Sequence, residues 1–342
     1  MATDARSDVG GVVMWTLASV YVLIAVLIII TNICTIGAVV VCRRLHQPVN
    51  YYIASISAAN FLMVFAVVPV VTIMVRGAAV YVANAPLLCD MRVVHQLAGD
   101  LVMVHSVYMM VVIAVDRYDA VLHPEKPAFT AARCALVVAA TWAVAMLYAL
   151  PTLALMTARK HDEYRSNATI SYCYLTAGEL AAKYYTDLAI GYVIPLALTA
   201  VLYGRIVCQL RAQRRRTPRG TAEVCWKKRS IKMAVAILAL FATCWLPIHV
   251  ILLTSLARDV RPELLLAVRH LATILVFCNS WIYVVIYAYY NADFRLAVTS
   301  LVFGDWRRCC RRQESRAGSA SNLNNLSVVA SAQRLSNMDL AS

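Results

Sequence analysis

Residues 106–118 read SVYMMVVIAVDRY, an apolar run that ends in the adjacent charges of Asp116 and Arg117. A charged side chain inside a bilayer is costly, so such residues are rare and usually functional. An aspartate beside an arginine can pair with it, and the pair can also open and release the arginine to another partner. If the run crosses a membrane, this stretch therefore predicts a switch at the cytoplasmic end of a helix.

The composition indicates a membrane protein. The chain is 61% hydrophobic and 15% charged, whereas soluble domains are roughly 45–50% apolar and ~25% charged. A spanning helix needs about 20 mostly apolar residues. Seven stretches meet this requirement: Met14–Cys42, Tyr51–Val75, His95–Val121, Cys134–Met156, Tyr184–Leu210, Ile231–Leu256 and Leu264–Tyr289. Because their connections are mostly short, we predict an all-α membrane protein built as a seven-transmembrane helix bundle.

The basic residues give the orientation of the bundle. One side of the predicted membrane collects Arg43, Arg44, Lys126, Arg133, the Arg211–Lys232 cluster and the arginines of Arg307–Arg312. Positively charged loops stay in the cytoplasm, so we expect an extracellular N-terminus in a multi-pass protein. The net charge of +14 is then a signal of orientation and of contact with the lipid bilayer. Because these residues flank the spans, we expect no nucleic-acid partner.

Several motifs stand in order on these spans. They are Asn32 in the first, Trp142 in the fourth, Pro195 and Tyr203 in the fifth, Cys244-Trp245-Leu246-Pro247 in the sixth, and Asn279-Ser280 with Asn291-Ala292-Asp293-Phe294-Arg295 at and after the seventh. Each is weak alone. Together with Asp116-Arg117-Tyr118, they make the chain resemble the rhodopsin-like (class A) G-protein-coupled receptors from about Tyr21 to Arg312.

The resemblance implies a plasma-membrane receptor that binds an extracellular ligand and activates heterotrimeric G proteins by a movement of the sixth helix. It divides the chain into a short extracellular N-terminus (1–13), a seven-transmembrane receptor domain (14–290), a short amphipathic eighth helix (291–304) and a cytoplasmic tail (305–342). The tail is rich in Ser, Ala and Asn, so we expect it to be disordered. Phosphorylated serines there would add negative charge, and the resemblance implies that this recruits arrestin.

The same resemblance assigns the coupling switch to Asp116, Arg117 and Tyr118. Tyr203 and Tyr287 would bridge to Arg117 when the inner end of the bundle opens, although anchoring at the membrane interface is an equally ordinary role for tyrosine.

The sixth span carries an activation hinge at Trp245 and Pro247. Pro247 removes a backbone hydrogen bond and kinks its helix, so the inner end can swing while the outer half stays packed. Trp245 would sense what fills the outer cavity, or it is only a large core residue.

Covalent modifications are expected on both sides of the membrane. Cys89 and Cys173 lie outside, where an oxidising milieu favours pairing, and the resemblance implies that their disulfide pins the second outer loop. The sequon at Asn167 lies in the same loop. Cys309 and Cys310 suit palmitoylation, with free thiols in a disordered tail as the alternative.

The sequence departs from the family at a site that, in the family, helps to hold a sodium ion. Asn60 replaces the usual aspartate of the second span, and Tyr283-Val284 replace the usual Asn-Pro of the seventh. Asn60 supplies no charge and Tyr283 is bulky, while Ser106 and Asn279 remain. We therefore predict little sodium sensitivity and a straighter seventh helix.

Two further departures concern coupling. Glu125 replaces an apolar residue that docks into the G protein, and an anion in an apolar slot is costly unless paired. Lys227 stands where amine receptors often have an acid that pairs with Arg117. Weak coupling and raised basal activity both stay open, and a non-coupling scavenger or dimer-partner receptor of the same fold is the alternative function.

The sequence excludes or disfavours some classes of ligand. The seventh span has no lysine between Glu263 and Tyr290, which excludes a retinal Schiff base. Gly99 stands where amine receptors keep an aspartate, and the sequence around Trp245 resembles peptide receptors more, so a peptide is favoured. The candidate pocket residues are Gln96, Asp100, Ile248, His249, Leu252, Arg269, His270 and Thr273. His249 either faces the ligand or is a hydrogen-bonded core histidine.

Other function classes fit poorly. A transporter or channel needs a polar path with ion-pairing residues, and the sequence offers few acids at mid-span. We found no metal-ligand spacing, nucleophile–base constellation or phosphate loop, so we expect neither an enzyme nor a cofactor or metal.

Overall fold

The computed structural model describes residues 2–76, 85–123, 130–166, 175–216, 222–256 and 262–304. Helices α1 to α4 cover Ala2–Val41, Pro48–Arg76, Ala85–Leu122 and Ala131–Ser166, and α5 consists of Ala177–Leu188 and Ile194–Arg216 joined by a π-helical turn over Ala189–Val193. Helices α6, α7 and α8 cover Ala222–Thr254, Pro262–Tyr290 and Ala292–Val302, and the part of the chain described here contains no β-strand.

Helices α1 to α7 are each long and apolar enough to cross a membrane, which confirms the predicted seven-transmembrane bundle. Their outward faces carry large apolar side chains such as Leu147, Val201 and Leu271, each well over half exposed. Such a surface would favour aggregation in water, whereas hydrocarbon chains solvate it. The chain is therefore a multi-pass membrane protein.

Helix α3 occupies the centre of the bundle. It packs against α2, α4, α5 and α6, while α1 packs against α2 and α7, and α6 packs against α7. The largest fully buried side chains include Tyr52, Met109, Phe241, Phe277 and Tyr287, which come from four different helices. One continuous core thus joins the outer and inner ends of the bundle.

A polar contact at mid-membrane holds α2, α3 and α4 together. The indole N–H of Trp142 donates to Ser55 Oγ over 3.2 Å, and that hydroxyl is 2.9 Å from His105 Nε2. The His105 ring also stacks on Trp142 with ring centroids 4.3 Å apart. Trp142 is therefore a structural residue that fixes α4 against its neighbours.

Helix α5 begins earlier than the sequence analysis predicted. Thr176 caps it by accepting from the backbone N–H of Glu179, and the Glu179 carboxylate accepts in return from the backbone N–H of Thr176, a complete capping box. The predicted span began at Tyr184, about two helical turns later. The earlier start places Lys183 inside a membrane-facing helix rather than in a loop.

Helix α8 is the predicted short amphipathic eighth helix. Asn291 caps it by accepting from the backbone N–H of Phe294. Phe294 and Ala297 are buried against the bundle, whereas Asp293 and Arg295 are exposed. The edge-on contact between Tyr287 and Phe294, with ring centroids 4.7 Å apart, fixes α8 to the end of α7.

Candidate functional site

The predicted switch lies at the inner end of α3. Arg117 Nη2 is 2.9 Å from Asp116 Oδ2, and the two side chains are 13% and 11% exposed. The two charges therefore pair while largely shielded from solvent, where an ion pair is stronger than on a surface. Tyr118 is half-buried next to them.

An apolar cluster joins α3, α5 and α6 at the same end of the bundle. We call it the inner apolar cluster, and it consists of Ala114 and Val121 on α3, Tyr203, Ile206 and Leu210 on α5, and Ile231 and Ala234 on α6. Tyr118 and Leu122 pack against it. A displacement of the inner half of α6 would remove two of its members and uncover the surroundings of Arg117.

The two predicted bridging tyrosines have different environments. Tyr203 is buried and lies within electrostatic range of Asp116 and Arg117. Tyr287 Oη instead donates to Asn50 on α2 and accepts from Asn291 Nδ2 over 2.9 Å. Tyr287 is thus tied to α2 and to the start of α8 in this structure.

Above the switch, a mostly apolar cavity lies between α2, α3, α5, α6 and α7. The hydroxyl-bearing residues Thr199, Tyr203 and Tyr283 line it, together with apolar residues such as Met110 and Ile237. The cavity leaves room for side chains at the inner end to rearrange without overpacking.

The predicted hinge is part of an aromatic cluster on α5 and α6, which we define as Tyr192, Phe241, Trp245 and His249. Trp245 stacks on Phe241 with ring centroids 5.5 Å apart and lies 6.2 Å from the ring of His249. Tyr192 contacts both Phe241 and His249. Pro247 lies inside α6 between Trp245 and His249.

A buried group of charges lies in the outer half of the bundle. Lys183 Nζ on α5 is 2.8 Å from Asp100 Oδ1 on α3 and also pairs with Asp187, one turn further along α5. Tyr148 on α4 donates to Asp187, and Gln96 donates to Asp100 Oδ1 over 2.9 Å. We call Asp100, Lys183 and Asp187 the outer charge triad.

Some of the predicted pocket residues meet at this triad. Asp100 is a member of the triad, and Gln96 donates a hydrogen bond to Asp100. His249 lies within electrostatic range of Lys183 and Asp187. Ile248 and Leu252, on the same helix as His249, are half-buried.

The other predicted pocket residues lie on α7, away from the triad's hydrogen bonds. His270 Nδ1 is 3.2 Å from Tyr21 Oη on α1, and Thr273 donates to the backbone carbonyl of Arg269 in its own helix. Arg269 is exposed. The hydrogen bonds that the structure describes for His270 and Thr273 thus go to Tyr21 and to the backbone of α7, not to Asp100 or His249.

Sequence reasoning missed Lys183, Asp187 and Tyr148. The signal was available, because Thr176-Ala177-Gly178-Glu179 has the spacing of a capping box. A helix started there places Lys183 and Asp187 one turn apart on one face.

Tyr283, where the sequence departs from the family pattern, belongs to a neutral hydrogen-bond network. Tyr283 Oη donates to Asn32 Oδ1 over 3.0 Å and also hydrogen-bonds Ser57. Asn32 Nδ2 donates to the Ser280 carbonyl over 2.9 Å. Helix α7 runs through Tyr283 and Val284 without interruption.

Beside this network, several buried polar atoms have no hydrogen-bond partner within the described part of the chain. They are both amide atoms of Asn60, the hydroxyl of Ser106 and the amide oxygen of Asn279. All three side chains are neutral, so they offer a cation oxygen atoms but no compensating charge.

The predicted modification sites are only partly described. Cys89 is disulfide-bonded at the start of α3. Cys173, Asn167, Glu125, Cys309 and Cys310 lie outside the described residues, as does the tail from residue 305, and of Lys227 only the helical backbone is described. Among the residues that the structure describes, no group of three His, Cys, Asp or Glu side chains could hold a metal ion.

Comparison with known proteins agrees with the seven-helix architecture described above. The family model for the 7 transmembrane receptor (rhodopsin family) matches residues 31–287. The chain is 26% identical over 299 residues to the Neuropeptide FF receptor 2 of Mus musculus, covering 80% of this chain and 70% of that protein. It is 28% identical to the RYamide receptor of Drosophila melanogaster (79% and 60% covered) and 26% identical to a QRFP-like peptide receptor of Branchiostoma floridae (80% and 74% covered).

Proposed function

This chain belongs to the rhodopsin family of seven-transmembrane receptors, and we propose that it binds an extracellular peptide and activates heterotrimeric G proteins. In this proposal the receptor lies in the plasma membrane with its N-terminus outside. The observation that carries the proposal is the shielded Asp116–Arg117 pair at the inner end of α3, where the inner apolar cluster also joins α3, α5 and α6.

The peptide ligand is supported by two observations. The relatives include a neuropeptide FF receptor, an RYamide receptor and a QRFP-like peptide receptor. The outer half of the bundle also offers polar and charged groups that suit a polar ligand, at the buried Asp100 and His249 and the half-buried Gln96.

The signal would pass from the outer to the inner end through the aromatic cluster. A ligand beside His249 changes the packing of His249 on Trp245, and Trp245 lies two residues from Pro247, where the missing backbone N–H favours a kink. A shift of the kink moves the inner half of α6, withdraws Ile231 and Ala234 from the inner apolar cluster, and opens the Asp116–Arg117 pair. The ligand can shift this equilibrium only by its difference in affinity for the two states.

The remaining sequence-based assignments extend this proposal. They are a Cys89–Cys173 disulfide, glycosylation of Asn167, palmitoylation of Cys309 and Cys310, and arrestin binding by the phosphorylated serine-rich tail.

A peptide screen tests the proposed function. Membranes that contain the full chain and a panel of purified G proteins would be exposed to synthetic amidated peptides, and nucleotide exchange would be measured. We expect at least one peptide to accelerate exchange on at least one G protein. A peptide that binds these membranes without accelerating exchange, and that intact cells expressing the receptor internalise, would instead support the non-coupling scavenger.

The neutral network around Tyr283 predicts insensitivity to sodium. An ion that binds only the folded protein raises its unfolding temperature. Because we expect no sodium ion to bind, the receptor should unfold at the same temperature in sodium chloride and in choline chloride at equal ionic strength. Agonist affinity should likewise be unchanged by this replacement. A sodium-dependent rise in unfolding temperature would show that Asn60, Ser106 and Asn279 hold the ion despite lacking a carboxylate.

A further inference from the structure

A disulfide lies at the inner end of α1, on the opposite side of the membrane from Cys89. Cys42 directly follows α1 and precedes Arg43, and it is 2% exposed. It is disulfide-bonded, as is Cys89 at the outer start of α3. The hydrocarbon core between the two ends is about 30 Å thick, whereas the Cα atoms of a disulfide are about 4.4–6.8 Å apart. Cys42 and Cys89 therefore have different partners.

The sequence restricts the partner of Cys42 to a few thiols. The chain has 11 cysteines, and the free ones among the described residues are Cys34, Cys134, Cys208, Cys244 and Cys278. Those that remain are Cys173, Cys225, Cys309 and Cys310, whose side chains lie outside the described part of the chain. Cys173 belongs to the outer loop between α4 and α5, across the membrane from Cys42. The partner is therefore Cys225 on α6 or one of Cys309 and Cys310, which we call the tail pair.

Helix α8 lies against the inner end of α1. A Cβ atom placed on Gly37 would be 3.5 Å from Leu301 Cδ1, which is ordinary van der Waals contact. At the start of α8, Asp293 is 3.9 Å from Arg44, two positions after Cys42. The end of the described chain thus leaves the bundle beside α1.

This packing favours the tail pair over Cys225. Cys309 follows Leu301 by eight positions, which can span up to about 26–29 Å. Cys42 follows Gly37 by five positions, a rise of only about 7.5 Å along the helix, so the tail pair is within reach of Cys42. Cys225 lies on α6, whose main packing partners are α3, α5 and α7 rather than α1.

We propose that Cys42 and one thiol of the tail pair form a redox-controlled disulfide on the cytoplasmic side of the receptor. This inference rests on the proposed orientation, in which the inner end of the bundle faces the cytoplasm. The cytosol keeps thiols reduced, and the disulfides that form there are usually transient or redox-sensing. The bond therefore opens and closes with the redox state of the cell.

Glutathione disulfide is the oxidant in this proposal. Cys42 is buried, so the first attack falls to a thiolate of the tail pair, whose neighbours Arg308 and Arg311 favour the thiolate form. That thiolate attacks one sulfur of glutathione disulfide and releases one glutathione. The Cys42 thiolate then attacks the tail sulfur and releases the second glutathione. Two protein thiols thus lose two protons and two electrons, and one glutathione disulfide becomes two molecules of glutathione.

The bond would change two properties of the receptor. It ties the chain beyond α8 to the inner end of α1, and a crosslink that closes a long loop stabilises the folded state. A sulfur in a disulfide cannot also carry a palmitoyl group. The oxidised receptor therefore offers one thiol of the tail pair for the proposed palmitoylation, whereas the reduced receptor offers two.

Peptide masses test the pairing. The full chain in nanodiscs would be treated with hydroxylamine to remove palmitoyl groups and equilibrated with glutathione buffers from fully reduced to fully oxidised. The remaining thiols would be blocked with iodoacetamide before digestion with trypsin. Trypsin releases the tail pair on the peptide 309–311 and Cys225 on the peptide 220–227, so the mass of the linked product identifies the partner. We expect the peptide that contains Cys42 to be linked to 309–311 in oxidising buffers and to be released in reducing ones.

Variants locate the bond. Cys42→Ser and the double variant Cys309→Ser/Cys310→Ser should each abolish the linked product, while Cys34→Ser should retain it. Cys34 is the matched control, because it is a free cysteine on the same tryptic peptide as Cys42. Oxidation should also raise the unfolding temperature of wild type, and the rise should be smaller in Cys42→Ser than in Cys34→Ser.

Three results would overturn the inference. They are the absence of a linked Cys42 peptide from wild type at every glutathione ratio, a link from Cys42 to the peptide 220–227, and a link that survives in the fully reduced buffer. The pairing is measured without any ligand or G protein. Its failure therefore leaves the proposed signalling function untouched, and a failure of signalling leaves the disulfide standing.

Discussion

Lys183→Met should lower the free energy of unfolding of the receptor by about 3–5 kcal/mol, the range expected when one partner of a buried ion pair is removed. The loss is large because Lys183 pairs with two carboxylates at once, on Asp100 and Asp187, and it also lies 5.1 Å from the ring centroid of Tyr148. Methionine keeps most of the apolar volume, so the effect reports the missing charge.

Thermal and chemical unfolding in lipid nanodiscs would measure this loss. Lys232→Met is the matched control, because Lys232 is exposed on α6 and its replacement should change stability little. Adding Asp187→Asn to Lys183→Met should recover part of the loss by removing one of the two unpaired carboxylates. If Lys183→Met is no more destabilising than Lys232→Met, the triad does not hold two ionised carboxylates.

Tyr283→Ala should cost about 3–5 kcal/mol, as expected for truncating a large buried aromatic residue. Tyr283 is 2% exposed, and its hydroxyl binds Asn32 on α1 and Ser57 on α2. The substitution therefore leaves a cavity at the junction of α1, α2 and α7 and two polar groups without their partner. Tyr283→Phe keeps the ring and should cost less, about 1–3 kcal/mol, for the unpaired groups alone.

The unfolding temperatures of these variants would be compared with that of Tyr289→Ala. Tyr289 lies on the same helix but is 71% exposed, so its loss should be nearly neutral. The expected order of stability is wild type and Tyr289→Ala, then Tyr283→Phe, then Tyr283→Ala. A Tyr283→Phe variant as unstable as Tyr283→Ala would mean that the hydrogen bonds, not the packing of the ring, hold the three helices together.

The sequence was sufficient for the seven spans, because about 20 apolar residues in succession have no other common use. It also predicted the Asp116–Arg117 pair, since the two residues are adjacent. Helix α5 begins at Ala177, before the apolar stretch that the sequence analysis placed from about Tyr184, because the search followed apolar residues and stopped at the charge of Lys183. The capping box at Thr176 and Glu179 marks the true start and is independent of hydropathy.

Sequence patterns could not predict which side chains contact one another between different helices. Tyr283 replaces a family residue, and the sequence indicated only that it is bulky. Its hydrogen bonds join it to Asn32 and Ser57, more than 200 positions away. The outer charge triad could not be predicted for the same reason, because Asp100 contacts Lys183 only when α3 and α5 pack side by side. Such contacts depend on helix rotation within the bundle, which side-chain packing determines.

The most direct test of the proposed switch is a measurement of nucleotide exchange by a panel of G proteins. The membranes would contain either wild type or Arg117→Ala, and exchange would be measured with and without the synthetic amidated peptides. Arg205→Ala, an exposed arginine on the inner half of α5, is the control for losing a positive charge near the cytoplasm. We expect that at least one G protein exchanges nucleotide faster with wild type and with Arg205→Ala, and that Arg117→Ala abolishes the acceleration at equal receptor amounts. Acceleration that Arg117→Ala retains in full would contradict the assignment of the switch to the Asp116–Arg117 pair.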